Sequence, residues 1–516
     1  MTKAIPSLLG SNRISVFKKV YQWCIFLFCI GMMIIILNHL ADHYAVRSRP
    51  FQMSPSEFIS YDPGEIETTK ISKLLPSLPI EFWERHSNIT GEMYYHNDSC
   101  APFPNIFQLK FSNIYWQAYK PLNFSFELYK AFYDTRKLNG LDNSVHVLAM
   151  INAVDLTIAT YCQLWYENVL EPVIVETHMY KYIWYKEWGD PYPGGYAPYL
   201  ITCQLPDSDQ LPAPACVSLV ENPCDRATNM LSVVYDKPSK KEKFAVCVKG
   251  LDFYEVDLSH RIVEWIEALN IMGVHKVFFY DLHVHPNMRK VLNYYQSIGK
   301  VDVTHITLPG NQPNLPIFQH QYLVKNLDDQ CYNELIHYND CFYKNLYSYD
   351  YIVPLDVDEI ILPTRDQNWT GLMKRVLFKA ASSGNFSNFN ARNVYVFNDA
   401  TPEGLYNNIP SYMHMLKHTH RSNKFTDPFE YVKSFFDTNL VLTVHNHLPL
   451  EYSNDVAFSY SIHRRDAQMN HYRKDCADEL YCKPYRKNII HEKILWRHKN
   501  KLTARVTRVL KILKLI

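Results

Sequence analysis

Short apolar runs dominate the region between residues 81 and 243. They are rich in aromatic and β-branched residues, as at 145–150 and 172–178, and clusters of Pro, Gly, Asn and Asp separate them. Runs of this kind are typical of β-strands joined by turns. The pattern therefore predicts a β-rich accessory domain at 81–243.

From residue 244 the pattern changes to strands that alternate with helices. Continuous apolar strands are predicted at 244–250 and 276–280, with amphipathic helices near 258–272 and 287–299. Strand–helix alternation implies right-handed crossovers, with sites at the carboxyl ends of the strands. The predicted fold class is therefore α/β, with a mostly parallel sheet in a domain at 244–500.

A further helix at 328–347 leads into an apolar segment, 348–363, that contains three acids, Asp356, Asp358 and Glu359. If this segment is one extended strand, Asp356 and Asp358 share a face, because side chains alternate along a strand. Carboxylate oxygens suit Mg²⁺ or Mn²⁺, and such ions also take oxygens from a diphosphate.

The acidic pair has two other interpretations. An isolated Asp-x-Asp is at least as often a solvated strand end. A calcium hand is excluded because the segment lacks the central Gly and the later Glu of that loop. We favour a metal and diphosphate site because burying three acids at a strand end is costly unless a cation neutralises them.

Histidines follow another predicted strand, at 439–445. His445 ends it and His447 lies two residues later. Imidazole suits Mn²⁺, so either residue could complete the metal's coordination, and a hydrogen-bonded surface histidine is the equal alternative. His414 and His418 also have helical metal spacing, but no Glu accompanies them, and we do not count them as ligands.

The amino terminus contains the one membrane candidate. The apolar run at 21–41 follows a tail, 1–20, with four basic residues and no acid, which predicts a signal anchor with a cytosolic amino end. A cleaved signal peptide is the alternative, although no clear cleavage site follows. The short span favours a Golgi-type bilayer, and the polar segment 42–80 is predicted to be a stem.

The carboxyl terminus, 501–516, is a basic amphipathic tail. Its apolar residues form one stripe opposite arginine and lysine residues. It could lie on a membrane surface, and packing against its own catalytic domain is the simpler account.

The composition indicates which cellular compartment and which partners to expect. A net charge of +1 over 516 residues argues against a nucleic-acid partner. Ten of the twelve cysteines follow the apolar run, an even number that an oxidising compartment would pair. Five Asn-x-Ser/Thr triplets are candidate glycosylation sites, beginning at Asn88, Asn97, Asn123, Asn368 and Asn385. The cysteines expected to form disulfides are Cys100, Cys162, Cys203, Cys216, Cys224, Cys247, Cys331, Cys341, Cys476 and Cys482.

Five blocks of sequence, in order, resemble those of glycosyltransferase family 92. They lie at 244–255, 280–286, 339–344, 355–359 and 471–476. The resemblance implies a GT-A-like nucleotide-sugar fold, a type II Golgi membrane protein with a lumenal catalytic domain, and a manganese-dependent inverting transferase. Relatives that resemble this chain use UDP-galactose and form β1,4-linked galactose on glycan acceptors of glycoproteins or glycolipids.

The resemblance also assigns expected roles to single residues. Asp356 and Asp358 match the metal motif of the family, and His445 or His447 would be a late ligand. Further residues match positions expected to contact the nucleotide, the diphosphate or the acceptor: Val248, Lys249, Asp281, Lys344, His471 and Arg473. Lys344 stands where relatives often carry Arg, which weakens a bidentate contact with phosphate.

The expected reaction is a displacement at the anomeric carbon, in which a carboxylate removes the acceptor's proton. The candidates for this base are Glu359, Asp437 and Asp466. Two other functions stay open: a metal-dependent hydrolase, and a lumenal carbohydrate-binding protein without catalytic activity, which the 38 tyrosines would suit.

Overall fold

The computed structural model describes residues 71–72, 75–85, 100–104, 106–154, 156–167, 171–189, 191–206, 212–402, 404–476 and 482–516. They belong to one compact unit, Thr68–Ile516. The predicted cytosolic tail, membrane anchor and most of the stem lie outside the described residues. Within the described ranges, no helix is both long and apolar enough to cross a bilayer.

The described residues form 24 strands and eight α-helices. The strands are β1 Phe111–Asn113, β2 Trp116–Tyr119, β3 Phe126–Asp134, β4 Ser144–Ile151, β5 Tyr161–Trp165, β6 Val173–Glu176, β7 Met179–Tyr182, β8 Ala197–Gln204, β9 Cys216–Val220, β10 Leu231–Val234, β11 Glu242–Phe253, β12 Lys276–Val284, β13 Val301–His305, β14 Tyr349–Pro354, β15 Glu359–Pro363, β16 Asn388–Ala391, β17 Asn393–Phe397, β18 His420–Ser422, β19 Lys433–Asp437, β20 Val441–Val444, β21 Pro449–Tyr452, β22 Tyr460–Ser461, β23 Ala467–Arg473 and β24 Ile489–His491. The helices are α1 Ile80–Arg85, α2 Ser259–Met272, α3 Pro286–Ser297, α4 Pro316–Lys325, α5 Leu327–Lys344, α6 Trp369–Ala380, α7 Lys483–Arg486 and α8 Lys499–Ile512.

The β-rich region forms a ten-stranded sheet. Its main path runs β6-β5-β9-β10-β3-β4-β8-β7, and β1 and β2 extend it beside β3. All of its pairs are antiparallel except β10 with β3. Every residue of β3 and β4 is buried, because other parts of the fold cover both faces of these strands.

A seven-stranded sheet carries the strand–helix repeats, in the order β13-β12-β11-β14-β19-β16-β22. The first four strands are parallel to one another, as expected, whereas β19 pairs antiparallel with both β14 and β16. The prediction of a mostly parallel sheet is therefore wrong. Between β14 and β19 the chain forms α6, β16 and three strands, β15, β17 and β18, of a five-stranded sheet with the order β15-β23-β17-β18-β24.

The acidic segment is two strands and a turn, not one strand. β14 ends at Pro354, and the chain turns at 357–358 before β15 begins at Glu359 in the five-stranded sheet. Proline has no N–H to donate and suits a strand end. The prediction that strand alternation places Asp356 and Asp358 on one face is therefore wrong. Both lie at the carboxyl end of β14, between the two sheets.

Helix α5 joins the two large sheets. Its Leu335 and Tyr338 are buried in a core cluster that also contains Tyr129 and Leu148 of the ten-stranded sheet. The buried Lys130 of β3 forms an ion pair of 3.0 Å with Asp340 of α5. The accessory sheet and the strand–helix region therefore share one core.

The disulfides are Cys100–Cys224, Cys162–Cys203, Cys247–Cys341 and Cys476–Cys482. Cys216 and Cys331 are unpaired, so the expectation that all ten cysteines pair is wrong. Cys331 lies ten residues before Cys341 on the continuous helix α5, about 15 Å along its axis, so the two cannot bond each other.

The carboxyl-terminal tail packs on its own domain, as the simpler account expected. Leu502, Val506, Val509 and Leu510 of α8 are buried. Arg505 lies 3.5 Å from Glu267 of α2.

Candidate active site

Two lysines surround the carboxylate of Asp356. Lys249 Nζ lies 3.5 Å from Asp356 Oδ1, and Lys433 Nζ lies 3.2 Å from Asp356 Oδ2. Lys433 is fully buried and is also 3.0 Å from Glu359 Oε2, while Lys249 is 2.7 Å from Glu334 Oε1. Three acids and two ammonium groups therefore form one network beneath the acidic turn.

The charges in this network fix the ionisation of its members. Burial alone would raise the pKa of Asp356, but Lys249 and Lys433 outweigh burial and hold that pKa well below its usual range. Burial would lower the pKa of Lys433, but Asp356 and Glu359 raise it. Asp356 is thus a carboxylate held by ammonium groups, and its backbone N–H also donates to Glu359 Oε2 at 3.0 Å.

Asp358 faces the other side of the turn, towards His471. Glu359 and His471 are directly opposite in the β15–β23 ladder, so the register brings the histidine to the turn. His471 Nε2 lies 3.2 Å from Asp358 Oδ2, and its Nδ1 lies 3.6 Å from Glu359 Oε1. The side chain of Asp358 is 40% exposed, against 17% for Asp356 and 3% for Glu359. Asp358 is therefore the acid of the turn that solvent and a ligand can reach.

His471 is more basic than an ordinary histidine. Burial would lower its pKa, but the carboxylates of Glu359 and Asp358 outweigh burial and raise it. Burial would raise the pKa of Asp358, and His471 lowers it. Arg473, the last residue of β23, is half-buried two positions beyond His471 on the same strand.

The carboxyl end of β11 approaches α5 very closely. The N–H of Gly250 donates to His337 Nδ1 at 3.0 Å, and a Cβ at Gly250 would lie 2.7 Å from both the His337 ring and Leu282. Burial lowers the pKa of His337 to about 3, so its ring is neutral and accepts this bond. Glycine here sets the path of the backbone beside Lys249, whereas the predicted nucleotide contact Val248 is buried in the core.

Asp281, which was expected to follow the second strand, lies within β12, and its buried carboxylate is already engaged. It pairs with Arg289 of α3 and lies 3.0 Å from His305 of β13. Burial would raise its pKa, and hydrogen bonds from His305 and Arg289 lower it. Asp281 therefore ties β12, β13 and α3 together.

Three predicted residues lie away from the turn. Asp437 is opposite Tyr351 in the β14–β19 pair, roughly 15 Å of extended chain from Asp356. Asp466 precedes β23, at the far end of the β15–β23 ladder from His471, and it pairs with Lys379 at 2.5 Å. Lys344 pairs at 2.5 Å with Asp302, near the amino end of β13. The structure therefore brings neither of these two base candidates, nor Lys344, to the acidic turn.

The predicted late metal ligands lie beside Lys433 and the accessory region. The His445 ring is 4.9 Å from that of Trp188, centroid to centroid. His447 Nδ1–H donates to the carbonyl of Val432 at 2.8 Å. Burial lowers the pKa of His445 to about 3 and that of His447 well below its usual value, so both rings are neutral. Among the residues that the structure describes, no group of three or more His, Cys, Asp or Glu is arranged to hold a metal ion.

Sequence reasoning missed four members of the network: Lys433, Glu334, Tyr338 and Asn446. Tyr338 Oη donates to Asp356 Oδ1 at 3.4 Å and contacts Asn446 Oδ1 at 3.3 Å. The sequence signal for two of them is a charged residue within an otherwise apolar element. Lys433 begins the buried strand β19, and Glu334 lies on the buried length of α5.

Comparison with known proteins gives one family. The model for "Glycosyltransferase family 92" matches residues 242–510, more than half of the chain. No curated protein matches. Similar solved structures include S. aureus TarS 1–349, alone and in complexes with UDP-GlcNAc and with UDP, at 10%, 10% and 11% identity and a TM-score of 0.23 each. The alignments cover 45%, 47% and 45% of this chain and 60%, 61% and 60% of the TarS chains, so the chain spans about three fifths of their length.

The TarS similarities are too low to carry an argument. The family match, by contrast, contains the acidic turn, both lysines beside Asp356, and His471. The chain belongs to glycosyltransferase family 92.

Proposed function

We propose that this glycosyltransferase moves a hexose, with galactose as the favoured sugar, from a UDP-sugar to a glycan acceptor with inversion at the anomeric carbon. Family membership supports glycosyl transfer. The observation that carries the proposal is the solvent-accessible carboxylate of Asp358 beside His471, at the carboxyl end of the parallel strands. Ligands of open α/β sheets bind at this edge.

The pair Asp358 and His471 fits a divalent cation better than the ligands that the sequence suggested. Asp358 Oδ2 and His471 Nε2 are 3.2 Å apart, and a carboxylate with an imidazole suits Mn²⁺. Ions bound through few protein ligands keep positions open for water and phosphate oxygens. Glu359 lies behind the other ring nitrogen, where a carboxylate orients a ligating histidine. Asp356 is less suited, since ammonium groups pair with both of its oxygens.

The bound ion would offset negative charge on the departing diphosphate. Side chains of the protein supply further positive charge and position the acidic turn. Lys249, 30% exposed at the end of β11, presents positive charge to the diphosphate. Lys433 and Glu359, both buried, hold the acidic turn in place. In the reaction the bond between the anomeric carbon and the diphosphate oxygen would break, the acceptor oxygen would form the new bond, and the hydroxyl proton would pass to a carboxylate. Of the three base candidates, Glu359 alone lies at the turn.

One observation favours a second candidate function, carbohydrate binding without conversion. A groove of about 760 Å³ lies beside the ten-stranded sheet, and its walls include Tyr192, Tyr196 and Tyr322. Tyr196 Oη donates to the buried Glu127 at 3.2 Å. Aromatic faces beside a carboxylate suit a sugar ring.

We propose the Golgi lumen as the compartment. Four disulfides support an oxidising environment, where such bonds persist. Microscopy of the full chain, with protease protection to find the lumenal side, tests this. A reducing cytosolic location would contradict it.

Transfer itself is tested with the full-length protein and a panel of UDP-sugars and glycan acceptors, with Mn²⁺ and with a chelator. We expect product from UDP-galactose with Mn²⁺ and none from Asp358→Asn. A folded protein that transfers no sugar from any donor would overturn the proposal. Retention of glycans without product would favour the second candidate.

A further inference from the structure

A polar cleft of about 460 Å³ lies near the acidic turn, and Lys249 is not among the residues that line it. One wall is the start of α2, with Asp257 and Arg261. The other wall comes from residues 398–402 and 404–418, which follow β17, and includes Tyr412, His414 and Lys417. We call this space the α2 cleft. None of its residues has a role in the site described above.

The α2 cleft borders Asp358. Burial lowers the pKa of Arg261, and the negative charge of Asp358 acts against that lowering. On the opposite wall, the ring of His414 lies 6.0 Å from that of Tyr472, whose backbone N–H donates to the carbonyl of Asp358 at 2.8 Å. Tyr472 therefore links the wall of the cleft to the acidic turn.

The cleft is formed without a ligand. Glu264 of α2 is fully buried, and its carboxylate accepts the backbone N–H groups of His414, Met415 at 2.9 Å and Leu416 at 3.1 Å. Tyr412 Oη also bonds Thr507 Oγ1 of α8 at 2.7 Å. These contacts hold the wall in place, so the cleft does not need to be ordered when a ligand binds.

The free groups of the cleft select an anion. Arg261 and Lys417 have no ion pair within the described part of the chain. The acid of the cleft, Asp257, already accepts from Asn287 at 2.7 Å and from the N–H of Ser259 at 2.9 Å. His414 Nε2 is buried and has no hydrogen-bond partner among the described residues. Cationic and hydrogen-bonding groups beside Tyr412 suit a sugar that carries negative charge.

We infer that the α2 cleft is the acceptor subsite, and that the acceptor is a saccharide with an anionic group, a carboxylate or a sulfate, bound by Arg261 and Lys417. This inference rests on the proposed function and names the substrate class for it. The donor's diphosphate would instead lie near Lys249, which pairs with Asp356 and does not line the cleft. Acceptor and donor would thus be bound by separate groups.

The test compares two full-length double variants in steady-state kinetics, Arg261→Ala/Lys417→Ala and the matched control Arg508→Ala/Lys511→Ala, whose residues are exposed on α8. Acceptors are one neutral oligosaccharide and its uronate-bearing and sulfated derivatives. For the charged acceptors we expect KM to rise about tenfold or more in the cleft variant, as loss of charge-assisted hydrogen bonds implies. KM for the UDP-sugar should change less than twofold, and Arg261→Lys should recover part of the loss.

Each other outcome has a definite meaning. A rise of the donor KM in the cleft variant would assign the cleft to the diphosphate and overturn the inference. Equal use of neutral and charged acceptors by the wild type would also overturn it, while transfer itself stands. If the wild type transfers nothing, the proposed function fails. Calorimetric binding of the two charged oligosaccharides, lost in the cleft variant alone, would then still support an anion-binding cleft, and no binding would refute it.

Discussion

Lys433 Nζ lies 3.2 Å from Asp356 Oδ2 and 3.0 Å from Glu359 Oε2, with no part of the lysine side chain exposed to solvent. Buried charges are tolerated when they are paired, and removing one partner leaves the others uncompensated. The acidic turn therefore depends on a lysine that lies 77 residues after Asp356 in the chain.

Lys433→Met should be strongly destabilising. The substitution leaves Asp356 and Glu359 without their buried cation, which typically costs about 3–5 kcal/mol. Urea unfolding measures the loss. As a control, Lys511→Met on the exposed face of α8 should change stability by less than about 0.5 kcal/mol. Equal stability of the two variants would show that the buried network is not needed for the fold.

Asp358→Asn should separate activity from stability. Its side chain is 40% exposed and, among the described residues, forms an ion pair with His471, so we expect the melting temperature to stay close to that of the wild type. Transfer should fall by about 100-fold or more, because the carboxylate contributes charge at the reacting diphosphate. Asp356→Asn, by contrast, should lower the melting temperature as well. Wild-type rates in Asp358→Asn would contradict the assignment of the turn.

Gly250→Ala should distort the end of β11. The added Cβ would lie 2.7 Å from His337 and from Leu282, so the strand or α5 must shift, at a cost of about 1–3 kcal/mol. Because Lys249 is the preceding residue, we also expect a higher KM for the UDP-sugar. Thermal unfolding and donor kinetics measure the two effects. Leu282→Ala in the same chain removes one of the two close contacts, so the loss of stability in the double variant should be smaller than the sum of the two single losses. Unchanged stability and kinetics would mean that the two elements are not in close contact.

Glu264 should make stability depend on pH. Burial raises its pKa to about 7, despite the three backbone N–H groups that lower it. Between about pH 4.5 and 7 the folded state holds a proton that the unfolded state has lost. Protonated Glu264 therefore contributes stability that is fully present below about pH 4.5 and is lost as pH rises towards 7. The loss is about 3 kcal/mol over that window. Between pH 5 and 8 the melting temperature of the wild type should fall as pH rises. The curves of the wild type and of Glu264→Gln should therefore converge or cross. Parallel curves would contradict the raised pKa.

The helices of the catalytic region could be predicted from periodicity. The patterns at 258–272, 287–299 and 328–347 correspond to α2 Ser259–Met272, α3 Pro286–Ser297 and α5 Leu327–Lys344. Each has an apolar face that packs on a sheet, and such spacing is visible in the sequence alone.

The position of the acidic turn could be predicted, but its partners could not. A strand that ends in three acids is a local signal, whereas the meeting of Lys433, Glu334 and His471 depends on strand register and on the change of sheet after Pro354. The same limit explains Asp437, which also ends a strand but lies beside the beginning of β14, because β19 runs antiparallel to it. Sequence spacing does not reveal strand direction in a mixed sheet.

The core that α5 shares with the ten-stranded sheet limits how the protein can be shortened. The family match begins at residue 242, yet Trp116, Tyr129 and Leu148 belong to the same buried core cluster as Leu335 and Tyr338 of α5, and their loss would uncover apolar surface on that helix. A fragment cut to the matched residues would expose that apolar surface to water and would leave Asp340 without its ion-pair partner Lys130. Such a fragment should aggregate, and crystallographic or enzymatic work on the transferase needs the preceding β-region left attached.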